Sequence, residues 1–137
     1  MSQELMTDEL SRLDATAQAE LVRRGDVTPV ELVDAAIARI ERVDPTLNAI
    51  ITPLFEKARA QAASPELPRG PFRGVPLALK DLIAHSAGDP YHAGMQFLRD
   101  LEWAEPADTH LGNPIESMSR VSVRRRLRAS DDPAIRA

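Results

Sequence analysis

The segment Val27–Pro45, VTPVELVDAAIARIERVDP, constrains the fold more than any other part of the chain. Thr28 is a good N-cap, Pro29 suits the first helical position, and Glu31 completes a capping box. Val30, Val33, Ile37 and Ile40 then recur at three- and four-residue spacing, which makes one apolar stripe. Asp44-Pro45 is expected to end the helix, so its span reads as 29–43. A stripe of this kind normally packs on a sheet, and the sheet is hard to find.

The remaining segments are short. Asp14 can cap a helix over about 15–23, with Gly25 ending it. LNAIIT, residues 47–52, reads as a short strand. PLFEKARAQAA, 53–63, reads as a helix. SPELPRGPFRG, 64–74, holds three prolines and two glycines and is a loop by its chemistry. VPLALK, 75–80, is a continuous apolar run and is expected to be a buried strand. Residues 84–97 read as an irregular surface loop, and Asp108 or Thr109 can cap a helix that Asn113-Pro114 would break at once. The expected class is α/β, a mixed arrangement of helices and strands, but two short strands are marginal alone. The chain reads as a truncated, helix-rich piece of a larger domain. An exposed stripe on the 29–43 helix and an unstable or oligomeric fold are the corresponding expectations.

Charge divides the chain. Residues 1–112 carry 11 basic and 18 acidic side chains; residues 113–137 carry 6 and 3. The second part is expected to be a divergent basic tail, disordered in solution. Its RVSVRRRLRAS has no aromatic residue for base stacking, so no nucleic-acid partner is expected. There is no cysteine, the N-terminus is acidic and polar, and no apolar run approaches membrane-spanning length. These features point to a cytoplasmic protein without a membrane partner. His85, His92 and His110 lack helical metal-pair spacing, and no Gly-rich phosphate loop is present, so neither metal nor cofactor is expected.

Lysine is rare here: Lys57 and Lys80 stand against fifteen arginines. Lys57 reads as an ordinary helix residue. Lys80 closes an apolar run and precedes Asp81. Burial can turn a lysine into a base, which arginine resists. Local sequence alone favours a strand-end lysine whose stem packs on apolar neighbours while its head reaches water or Asp81.

GPFRGVPLALKDL, residues 70–82, resembles the lysine motif of the amidase signature family through Gly70, Pro71, Gly74, Val75, Pro76, Lys80 and Asp81. VTPVELVDAAIARIERVDPTLNAI is similar to the family's N-terminal helix and strand, and AGDPYHAGMQFLRD and PADTHLG are similar to the segment after the lysine. The resemblance covers about residues 9–112. It implies hydrolysis of carboxamides by a Ser–cis-Ser–Lys triad, with Lys80 as the catalytic lysine, a small-molecule amide as substrate, and a structural or electrostatic role for Asp81. It also places Gly88, Tyr91 and Gly94 in a loop near the active site, where turns explain the glycines equally well.

The family's two serines lie in a Gly/Ser-rich stretch that this sequence lacks. None of Ser2, Ser11, Ser64, Ser86, Ser117, Ser119 and Ser130 has glycine on both sides. The chain alone is therefore expected to be inactive. Where relatives continue with a helix and a strand leading to Gly-Lys-Thr-Asn, this chain has its basic tail, as a frameshift or early end would produce. The alternatives are half of a split amidase, completed by another polypeptide, and a non-catalytic helical module that binds a partner or a second copy.

Overall fold

The computed structural model describes residues 8–82 and 86–107, and the backbone of 119–124. A helical turn at 8–11 precedes α1 (Ala15–Arg24), α2 (Pro29–Leu47), β1 (Ile50–Pro53), α3 (Phe55–Ala63), β2 (Pro76–Lys80), α4 (Gln96–Asp100) and β3 (Ser119–Arg124).

The helix ends follow from local chemistry. Asp14 Oδ1 accepts from Ala17 N at 2.8 Å and starts α1. Gly25, at φ 76°, ends it by sending its N–H to Val22 O, while Asp26 N–H reaches Leu21 O. In α2, Glu31 N donates to Thr28 Oγ1 at 3.2 Å and Thr28 N donates to Glu31 Oε2 at 2.8 Å, the reciprocal pair of a capping box.

α2 passes through Asp44-Pro45 and ends four residues beyond 43, at Leu47. Pro45 removes only its own N–H, and it lies on the exposed last turn of the helix, where one missing bond costs least. Asn48 then takes the left-handed conformation at φ 46°. The Asp44 carboxylate turns the chain into β1 by accepting from Ala49 N at 2.7 Å and Ile50 N at 3.0 Å.

The expected stripe is not left exposed. Val33 and Ile37 are buried against Ala58 and Ala62 of α3, with Val30, Ile40 and Phe55 alongside. Alanine on α3 lets the two backbones approach closely, which suits a chain poor in aromatics. Arg59 of α3 reaches Asp34 of α2 at 2.8 Å and Glu56 at 2.6 Å. These two carboxylates, Asp34 first, hold its guanidinium above the usual arginine range. A second face of α2 is buried too: Leu32 and Ala35 pack with Leu10, and with Leu21, Val22 and Val27. The central helix is thus enclosed from two sides.

The sheet has three strands in the order β1-β3-β2, with β3 antiparallel to β1 and parallel to β2. Six residues of the basic tail therefore form its middle strand, where disorder was expected. The reason is visible in SRVSVR, where Val121 and Val123 alternate with polar residues at strand period. Register shifts interrupt both ladders, between Ile50 and Thr52 and between Leu77 and Ala78. β2 is less buried than its apolar run suggests: Leu79 is buried, but Ala78 and Lys80 are exposed. The helix expected near 108 and the rest of the tail lie outside the described residues. Among the described residues no helix is long and apolar enough to cross a membrane.

Two measurements check this account. Thr28→Ala should cost about 1 kcal/mol in urea unfolding at neutral pH. The Thr28 backbone N–H, then its hydroxyl, hold the Glu31 carboxyl below its ordinary value. That contribution is present above the ordinary glutamate range and disappears as pH falls through the lowered value, so the cost of the substitution should shrink in acid. Ser122→Pro should remove the amide protection of residues 50–52 and 77–80 in hydrogen exchange, while α2 stays protected, because proline cannot donate to a central ladder.

Candidate active site

The approach to Lys80 is built by the loop before it. Arg73 N donates to Gly70 O at 3.3 Å and Val75 N to Phe72 O at 3.1 Å, so residues 70–75 form consecutive turns. Gly74 sits at φ 80°, and a Cβ there would lie 2.6 Å from Pro29 Cβ and 2.7 Å from Pro29 Cγ. The chain entering β2 therefore touches the first turn of α2, and only glycine fits. Val75, 2% exposed, anchors the strand immediately afterwards.

Lys80 and Asp81 point to opposite environments. The Lys80 side chain is exposed, and no hydrogen bond or ion pair ties its ammonium to a described residue. Asp81 is 2% exposed. Its Oδ1 accepts from His92 N at 2.8 Å and Ala93 N at 3.0 Å, and its Oδ2 from Gly94 N at 3.2 Å. Ala93 and Gly94 both have positive φ, 50° and 73°, which turns successive N–H groups toward one point. A buried carboxylate is costly unless hydrogen-bonded, and this one is held by three donors among the described residues.

The following loop is ordered by a second buried carboxylate. Asp89 Oδ1 pairs with Lys57 Nζ of α3 at 2.5 Å, and Asp89 is nearly fully buried. Lys57 is thus a tether between α3 and the loop, where the sequence suggested an ordinary helix residue. Gly88 N donates to Glu105 O at 2.8 Å and Tyr91 N to Trp103 O at 3.1 Å, with a bridge between Pro90 and Ala104. Residues 86–105 therefore double back on themselves. Gly88 and Gly94 both serve turns, at φ 75° and 73°.

Other sequence candidates are placed as follows. Ser86 is buried at the start of this loop. Ser11 donates to Asp8 O, and Ser64 caps the end of α3. Ser119 opens β3, while Ser2, Ser117 and Ser130 lie outside the described residues, as do His85 and His110. His92 contributes its backbone N–H to Asp81. Among the described residues no group of three or more His, Cys, Asp or Glu is placed to hold a metal ion.

Gly74→Ala should destabilise the chain by about 1–3 kcal/mol in chemical unfolding, because the added methyl overpacks against Pro29 in a left-handed backbone. Gly25→Ala, where nothing lies within 4 Å, should cost less although its φ is similar.

Comparison with known proteins agrees with this geometry. The family model described as Amidase matches residues 31–109, more than half of the chain. The 6-aminohexanoate-cyclic-dimer hydrolases of Pseudomonas sp. (strain NK87) and Paenarthrobacter ureafaciens are 57% identical over 76 residues, which is 56% of this chain and 15% of each relative. The solved structure of 6-aminohexanoate cyclic dimer hydrolase complexed with substrate superposes with a TM-score of 0.74 at 38% identity, over 82% of this chain and 23% of that one. A bacterial aryl acylamidase of the amidase signature family gives 0.70 at 30% identity, over 82% and 25%. The chain spans no more than a quarter of the length of these relatives. The α/β arrangement of helices around a mixed sheet is theirs, and the chain belongs to the amidase family.

Proposed function

We propose that residues 1–112 are the lysine-bearing N-terminal portion of an amidase, a hydrolase that converts a carboxamide to a carboxylate and ammonia or an amine. The observation that carries this reading is the position of Lys80. It ends a strand inside the matched region, and that strand is fixed by Gly74, Val75 and Asp81.

In this reading Lys80 acts as the base of a Ser–cis-Ser–Lys mechanism. It takes a proton through the hydroxyl of a middle serine, and the nucleophilic serine attacks the amide carbonyl. The proton then leaves with the amine, and water releases the acyl group. No cofactor takes part. The chain has no glycine-flanked serine to serve as nucleophile beside an oxyanion site, so alone it does not turn over. A small amide is the substrate class, and the cyclic dimer of 6-aminohexanoate, named for the relatives, is the first candidate.

A complementing polypeptide that supplies the serines is the second reading. It is favoured by Met95, Phe97, Leu101 and Trp103, which are all exposed within nine residues, and by β2, which among the described residues has β3 as its strand partner along one edge only. The non-catalytic helical module is less favoured, because α3 covers the stripe of α2 that would serve it.

The test is amide hydrolysis by the purified chain and by Lys80→Ala, over aliphatic amides, aryl amides and the cyclic dimer. Neither protein alone should be active. Adding a polypeptide that carries a Gly/Ser-rich Ser–Ser segment should give hydrolysis, reduced about 100-fold or more by Lys80→Ala. Activity of the chain alone would overturn the inactive reading, and complemented activity indifferent to Lys80→Ala would overturn the base assignment.

A further inference from the structure

We infer that Asp81 is the positioning residue for Lys80. The inference rests on the reading of Lys80 as the base, and it assigns a task to the second residue of the Lys-Asp pair. The carboxylate lies immediately after β2, 2% exposed, and its three donors among the described residues come from one turn, His92 to Gly94. That turn is eleven to thirteen residues downstream, so the contact closes a loop rather than decorating one.

Two consequences follow from the geometry. The backbone at residue 81 cannot rotate without breaking the hydrogen bonds, and this fixes the direction in which residue 80 leaves the strand. The bonds also fix the turn at 92–94 at a set distance from the strand end. The same loop is held on its other side by Asp89 and Lys57, at 2.5 Å, so it is fastened at two separate buried carboxylates. The Lys80 backbone is paired with Arg124 of β3, while no described residue holds its ammonium. The direction in which that ammonium leaves the strand end is therefore set by the strand and by the residue that closes it, Asp81. Asp81 does not itself touch a reacting atom in this account; it acts through the lysine and the turn.

The chain offers a clean readout because Lys57 and Lys80 are its only lysines. With 15N-labelled lysine, two backbone amide signals report separately on the strand end beside Asp81 and on the helix that carries the Asp89 contact. Asp81→Asn and Asp81→Ala both remove the charge, so the difference between them isolates the hydrogen bonds. The asparagine oxygen can keep the bonds to His92 N and Ala93 N, whereas its NH2 faces Gly94 N–H. We expect Asp81→Asn to raise hydrogen exchange at Gly94 about tenfold with His92 and Ala93 still protected, and to keep the Lys80 signal dispersed. Asp81→Ala should raise exchange at all three amides by at least about tenfold and collapse the Lys80 amide signal toward its random-coil position, with Lys57 unmoved. Identical Lys80 signals in the two variants, at whatever exchange rates, would overturn the inference and leave Asp81 as a loop brace only. If Lys57 also collapses in the alanine variant, Asp81→Asn against the parent decides alone: unchanged exchange at Gly94 would overturn the inference. These readings come from the free chain, so a failure of the complementation assay for Lys80 leaves them separately interpretable.

Discussion

The burial of α2 on two faces is the constraint on which the rest of the structure depends. Val33 and Ile37 face α3, while Leu32 and Ala35 face the turn at 8–11 and the elements around α1. With both sides engaged the helix cannot roll, and its first turn becomes a fixed point. Pro29 at that point meets Gly74, and Gly74 sets where β2 begins. The position of Lys80 is therefore traceable, link by link, to packing more than forty residues earlier in sequence. Few large side chains are used to achieve this. Close helix approach through Ala58 and Ala62 takes the place of aromatic bulk.

Much of this was legible in the residues, and the exceptions have physical causes. The caps at Asp14 and Thr28 were readable because their partners lie within three residues. The second face of α2 was not, since alanine at Ala35 fits either a core or a surface. Pro45 misled because its cost depends on whether the lost hydrogen bond is replaced by water, and sequence does not reveal exposure. β3 was hidden by the arginines around it, although Val121 and Val123 carried the strand period.

The candidate site divides in the same way. Lys80 stood out by its rarity and its place after an apolar run. The partners of Asp81 left no trace, because they are backbone N–H groups of His92, Ala93 and Gly94, and any residue but proline supplies one. Lys57 and Asp89 are thirty-two residues apart and look like two ordinary charges until the fold brings them together. Positive φ at Gly94 was suggested by glycine itself, but at Ala93 it arises from the demands of the carboxylate it faces.

The alternation of outward Lys80 and inward Asp81 has a consequence for how this stretch tolerates change. Neighbouring residues along an extended chain face opposite ways, so a slip of one position exchanges them. Deleting or inserting a single residue between Gly74 and Asp81 would drive the ammonium into the interior, among donors it cannot accept from, and leave the carboxylate in water. Exchanging Leu77 or Ala78 for another small apolar residue would do neither. What the segment encodes is therefore chiefly a count, its length being less free to change than the small apolar letters within it.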